Sequence, residues 1–300
     1  MYRIVQKRNI FFTLSLVLVI PGLVAWAVWG LRLGIDFTGG TLLRGSFAET
    51  VPSTADLEKA VRDTGVSTVH VQTSESKGII LRMEHITNEQ HDTILAALQK
   101  QDPTFAEASF ETIGPTIGAE LKRKAIVATI LVLALIVVYV TWAFRKVSAG
   151  PVPSWVYGAS AIIALIHDVG IVIGVFAILG HFGGVEVDAL FVTALLTVLG
   201  FSVHDTIVVY DRIRERVLQS VGKHFDEVVN ESLNQTMVRS INTSLTAIFI
   251  LIALVLFGGG SIQYFILALL IGIAAGTYSS IFVAASLLVV WNNWKQRRRA

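Results

Sequence analysis

Residues 240–294 read SINTSLTAIFILIALVLFGGGSIQYFILALLIGIAAGTYSSIFVAASLLVVWNNW, and from Ser240 to Trp294 they contain no Asp, Glu, Lys or Arg. A bilayer core is crossed by roughly 20 apolar residues in a helix. The run is therefore too long for one crossing and predicts two. Gly258, Gly259, Gly260 and Ser261 supply the break, because glycine interrupts a helix and favours a turn. The spans fall at about 240–258 and 262–291.

Outward from this stretch, four more predominantly apolar runs of spanning length lie at about 10–30, 125–144, 155–180 and 188–210. The sequence thus predicts an all-α membrane bundle of six transmembrane helices. The chain of 300 residues is 53% hydrophobic and only 15% charged, against about a quarter charged in soluble domains. The charges crowd into residues 32–124, into 211–239 and at the two ends. A net charge of +2 with no dense basic face excludes a nucleic-acid partner. The absence of cysteine excludes a disulfide framework and a thiolate metal site. Arg3, Lys7 and Arg8 form a basic start resembling that of a signal peptide, but Ile10–Gly30 is too long for a cleaved core and reads as an uncleaved first helix.

The short loops set an expected orientation. The N-terminal cations, Arg145/Lys146, the 211–239 segment and Lys295/Arg297/Arg298/Arg299 fall on one side if the spans alternate; loops 181–187 and 258–261 carry no Lys or Arg. By the positive-inside rule both termini are cytoplasmic. Lys122, Arg123 and Lys124 sit on the opposite side, beside a long exported segment where the rule is weaker. The domain reading is 1–31 first helix, 32–122 exported (periplasmic) domain, 123–294 five-helix region and 295–300 basic cytoplasmic tail. Within the exported domain, strands are expected at Asp36–Phe47, Val66–Thr73, Gly78–Ile86 and Phe105–Ile113. Helices are expected from Ser53 to Thr64 and from Thr87 or Asn88 to Leu98. The order β-α-β-β-α-β is the α+β ferredoxin-like pattern, a scaffold without activity of its own. Residues 211–239 read as a short amphipathic connector lying against the headgroups.

Ionisable groups within spans are costly, roughly +2.5 to +3.5 kcal/mol for an Asp at a helix centre, and by default mark ion paths. Three places qualify: His167-Asp168, His204-Asp205, and Arg239 with Asn242, Thr243 and Thr246 at helical spacing. Asp205 and Arg239 fall toward the same half of the membrane, so a buried Asp205–Arg239 pair is expected, loosened when the carboxylate takes up a proton. Asp168 and His204 are weaker members of the same path. His167 and His204 read as hydrogen-bonding interior residues. Neither His-Asp pair has an HExxH context, and adjacent helical residues point about 100° apart, so no metal is expected. No phosphate loop is present, no serine-nucleophile arrangement is convincing, and no cofactor or enzymatic role is expected. Gly170/Gly174 and Gly272/Gly276 have the spacing of close helix packing.

Four segments together resemble the SecD/SecF family of bacterial protein-export membrane proteins. They are Gly34-Ile35-Asp36-Phe37-Thr38-Gly39-Gly40, Ala164–Asp168, Gly200–Glu215 (GFSVHDTIVVYDRIRE) and Arg239–Ser244 (RSINTS). The resemblance covers nearly the whole chain. It implies an RND-superfamily fold, with this chain as half of a twelve-helix assembly completed by a SecD partner. It implies use of the proton-motive force to help the SecYEG channel move exported unfolded polypeptide across the inner membrane. The family's proton-path residues match Asp205, Arg239 and Thr243, and its structural glycine motif matches Asp36, Gly39 and Gly40. Members commonly carry Asn where this chain has His204. The competing readings are a proton-coupled exporter of small molecules or lipids, a non-energised scaffold subunit, and an intramembrane hydrolase.

Overall fold

The computed structural model describes residues 2–48, 50–73, 77–145, 151–220, 222–259 and 262–298. Lys146, Gly260, Ser261 and Arg299, which bore on the predicted loops and orientation, lie outside the described residues. The chain divides into two compact units, Leu33–Ile126 and the remainder.

Helix α1 (Arg8–Trp29) begins after a single 3-10 turn, Val5–Lys7. The start of the chain is tied down by side-chain amides from far along the sequence. Asn230 Oδ1 accepts the backbone N–H groups of Ile4 (2.9 Å) and Val5 (3.2 Å), and its Nδ2 donates to Tyr2 O (3.0 Å). These are orphan donors of a helix start, so the amide acts as a cap supplied from elsewhere in the chain.

The smaller unit opens with α2 (Ile35–Thr38) and β1 (Gly40–Ser46). Sequence reading placed a strand from Asp36; the structure corrects this. Gly39 N donates to Ile35 O at 2.8 Å and closes one helical turn, so the strand starts only at Gly40. Gly39 (φ 72°) and Gly40 (φ 127°) take backbone conformations that side chains disfavour. A Cβ on Gly39 would lie 2.7 Å from Pro115 Cα, and one on Gly40 would lie 2.9 Å from Met83 O. The pair is thus a corner where the backbone meets two other segments.

The unit continues with α3 (Thr54–Arg62), β2 (Val69–Thr73), β3 (Gly78–Met83), α4 (Asn88–Gln101) and β4 (Ala106–Ile113). Ser53 caps α3, and Thr87 with Gln90 forms a capping box on α4. The four strands pair antiparallel in the order β2-β3-β1-β4, the ferredoxin-like arrangement. Leu43, Leu81, Ile79 and Val69 point from the sheet to Leu57, Val61, Ile94 and Leu98 of the helices and form a separate core. After α4, the Thr104 hydroxyl (2.7 Å) and N–H (2.8 Å) both donate to Asp102, holding its carboxyl below the usual carboxylate range.

Five further long helical segments follow: α5 (Pro115–Ala143), α6 (Ser154–Gly183), α7 (Ala189–Gln219), α8 (Phe225–Phe257), and α9 (Gln263–Tyr278) running through a π segment, Ser279–Ala284, into α10 (Ala285–Arg297). With Val5–Trp29 they make six segments long and apolar enough to cross a membrane. α8 stops at Gly258, where the glycine run was read as a break.

The expected headgroup connector at 211–239 is corrected. α7 and α8 each extend through it and pack as a hairpin. Tyr210, Ile213, Phe225, Val229 and Leu233 are buried in the bundle core, and the Arg212 (2.7 Å) and Arg216 (3.2 Å) side chains both donate to Gln235 Oε1. Its apolar residues face a partner helix, which an isolated amphipathic pattern does not distinguish from lipid.

Glycines set the close crossings. A Cβ on Gly174 of α6 would lie 2.3 Å from Gly22 Cα of α1, and one on Gly276 of α9 would lie 2.9 Å from Ser202 Cβ of α7. Gly174→Ala is expected to destabilise the membrane unit by about 1–3 kcal/mol, because backbone atoms cannot give way as side chains do. Thermal unfolding in detergent checks this, with Gly200→Ala as control, since nothing lies within 4 Å of a Cβ at Gly200.

Candidate functional site

Buried polar side chains of α6, α7, α8 and the π segment converge inside the membrane unit. Asp168 of α6 has 0% exposure, and three side chains lie within hydrogen-bonding distance of its carboxyl. His167 Nδ1 lies 2.9 Å from its Oδ1, while the hydroxyls of Ser202 (2.6 Å) and Ser279 (2.8 Å) reach its Oδ2. Both carboxyl oxygens are thus held by side chains of α6, α7 and the π segment.

Ser279 and Ser280 open the π segment, and both are fully buried. Ser279 turns to Asp168, while Ser280 contacts Thr206 Oγ1 (2.8 Å) and donates to Ser202 O (3.3 Å). One widened turn thus ties α9 to both α6 and α7, and such turns occur often at functional sites.

Asp205 lies on the same inner side of α7 as Ser202 and is 6% exposed. Ser240 of α8 faces it, but neither Asp205 Oδ2 nor Ser240 Oγ completes a hydrogen bond, and both are buried. The expected Asp205–Arg239 ion pair is not formed. Ser240 and Ser244 occupy the buried face of α8, whereas Arg239, Asn242, Thr243 and Thr246 lie on its exposed face. The Thr243 hydroxyl bonds Arg239 O at 2.9 Å within the same helix. Spacing alone placed Arg239 and Thr243 together on one face; it could not say which face turns inward.

His204 also departs from expectation. It is exposed rather than interior, because the turn of α7 that buries Ser202 and Asp205 faces it outward. His167 is interior as read, 7% exposed. Among the described residues no three His, Asp or Glu gather as a metal-ligand group. Sequence reading missed Ser279, Ser280 and Thr206. The available signal was two adjacent serines, TYSS, in a span without Asp, Glu, Lys or Arg.

The family described as "Protein export membrane protein SecD/SecF, C-terminal" matches residues 93–294, and the "SecD/SecF GG Motif" matches residues 24–44, which include Asp36, Gly39 and Gly40. The chain is 47% identical to the protein translocase subunit SecF of Thermobaculum terrenum, over 98% of this chain and 95% of that one. It is 41% identical to the SecF subunit of Anaerolinea thermophila, over 99% of this chain and 98% of that one. Among solved structures it is similar to SecDF from Thermus thermophilus, a translocon-associated membrane protein, with a TM-score of 0.83 and 33% identity. That match covers 97% of this chain and 39% of the SecDF chain, so this chain spans about two fifths of it. A six-helix membrane bundle with a small ferredoxin-like sheet domain, corner glycines at the matched motif and full-length similarity to translocase subunits place the chain plainly: it belongs to the SecD/SecF family of protein-export membrane proteins.

Proposed function

We propose that this chain is the proton-responsive half of a protein-export motor, in which Asp205 takes up and releases a proton and Arg239 and Thr243 lie along the same path. With a SecD partner it draws on the proton-motive force to assist unfolded polypeptide through SecYEG in the bacterial inner membrane. Both termini face the cytoplasm, and the 33–126 unit is exported.

The single observation that carries this is Asp205, a membrane carboxyl whose buried Oδ2 completes no hydrogen bond although the Ser240 hydroxyl faces it. A carboxylate locked by hydrogen bonds is a structural group; one without them is poised to change its protonation. The stripe of Arg239, Asn242, Thr243 and Thr246 supports a partner chain. Hydrocarbon against an exposed guanidinium is costly, and a second polypeptide or a water-filled seam relieves the cost. One charge moved through 100 mV is worth about 2.3 kcal/mol, which biases a two-state element by roughly fifty-fold.

Reconstitution tests the proposal. Vesicles containing this chain, its SecD partner and SecYEG should export a precursor faster when a proton gradient is imposed. Equal export with and without the gradient, at unchanged channel content, would instead support the non-energised scaffold.

A further inference from the structure

The geometry points to the His167–Asp168 dyad, held by Ser202 and Ser279, as a second proton-binding site in which His167 Nε2 gains and loses the proton. This rests on the proton-coupled reading above and adds a site separate from Asp205. Two independent observations carry it. Asp168 is fully buried, accepts from Ser202 and Ser279, and lies 2.9 Å from His167 Nδ1, so its carboxyl is engaged by three other residues. His167 is itself 7% exposed, and its Nε2 is buried with no hydrogen-bond partner. With Nδ1 engaged by Asp168, Nε2 is the ring nitrogen left open to change.

The proton balance is simple. With Nδ1–H donated to Asp168, a neutral imidazole leaves the dyad with net charge −1. A proton arriving on Nε2 makes an imidazolium and brings the dyad to zero; no bond between heavy atoms forms or breaks. Charge in a buried site is costly when unpaired and much less so when paired, so the two states differ in how strongly Asp168 must draw on its serines. Ser279 is the first residue of the π segment and also approaches Gly276 O at 3.2 Å. One hydroxyl hydrogen cannot serve both acceptors. The charge on the dyad therefore decides which of them Ser279 serves, and so bears on the widened turn.

The titratable groups on the surrounding elements are distinct from the dyad. Tyr278 of α9 stacks on the His167 ring at 6.1 Å, with its hydroxyl donated to Phe11 O of α1 at 2.7 Å. Asp205 of α7 is the nearest carboxyl on that helix's inner side and faces Ser240. Tyr210 of α7 is engaged by Ser160 at 2.6 Å, and Tyr157 of α6 stacks edge-on with it. Arg239 of α8 and His204 of α7 lie on exposed faces.

The test is 15N NMR of the full chain, histidine-labelled and reconstituted in lipid, with the His167 signals identified by their loss in His167→Gln. Between pH 5 and 9, Nε2 should pass from protonated to unprotonated while Nδ1 stays protonated throughout. Asp168→Asn should abolish that transition in the same range. Ser279→Ala, which keeps the carboxylate, should displace its midpoint by about half a pH unit or more. A His167 ring that keeps one state over the whole range, shows the opposite tautomer, or titrates identically in Asp168→Asn would overturn the assignment, as would an unmoved midpoint in Ser279→Ala. These readouts are independent of Asp205: if export proves insensitive to the gradient while His167 titrates as described, the motor reading fails and the dyad stands.

Discussion

Asp168→Ala is expected to lower the stability of the membrane unit by about 2–4 kcal/mol. A single interhelical hydrogen bond within a membrane averages only about 0.6 kcal/mol, because the alternatives in lipid also find partners. This substitution removes three acceptor contacts at once, strands His167, Ser202 and Ser279 in a buried site, and opens a cavity. Asp168→Asn keeps an oxygen for one or both serines and should cost about 1–2 kcal/mol. Thermal unfolding in detergent distinguishes the two. An alanine variant melting with the unmodified chain would show that the three contacts do not hold α6, α7 and the π segment together.

Asp205→Asn should behave in the opposite way. Asp205 completes no hydrogen bond at its buried oxygen and has no ion pair with Arg239. Little native interaction is lost, and the change in stability should stay within about 1 kcal/mol. Activity should collapse instead. Export in an imposed proton gradient should fall to the gradient-free level, because asparagine fills the same space but cannot carry the proton. Gradient-stimulated export at the unmodified rate would remove Asp205 from the proton path. Two buried aspartates, both flagged by the cost of a charge in lipid, are thus separated by their surroundings. One is saturated with donors and structural in the first instance, and the other is left unsatisfied.

That separation was not legible in the sequence. The uncharged run at 240–294, its glycine break and the paired small residues determine the six helices and their close crossings, because length in lipid and backbone approach are nearly one-dimensional constraints. The sheet domain follows from caps and alternation for the same reason; only the turn at Asp36 was hidden, since Gly39 redirects the backbone without changing the apolar pattern. The site was harder. Arg239, Thr243 and Thr246 share a helix face by spacing, but whether it faces Asp205 depends on how α8 is rotated; the observed rotation buries Ser240 and Ser244, with Thr277 donating to Ser244 Oγ at 2.6 Å. The serine hub around Asp168 draws on the first residue of a π segment, a departure from the regular period on which sequence reading relies. Residues 211–239 illustrate the same limit: an amphipathic pattern specifies an apolar face without naming what covers it.

On the proposed reading the Asp205 carboxyl exists in both protonation states. Infrared difference spectroscopy of the full chain in lipid measures this directly, through the carbonyl stretch of a protonated carboxyl as pH is varied. A band is expected that grows as pH falls, persists in Asp168→Asn and is missing in Asp205→Asn. A spectrum with no such band, or one that survives unchanged in Asp205→Asn, would contradict it.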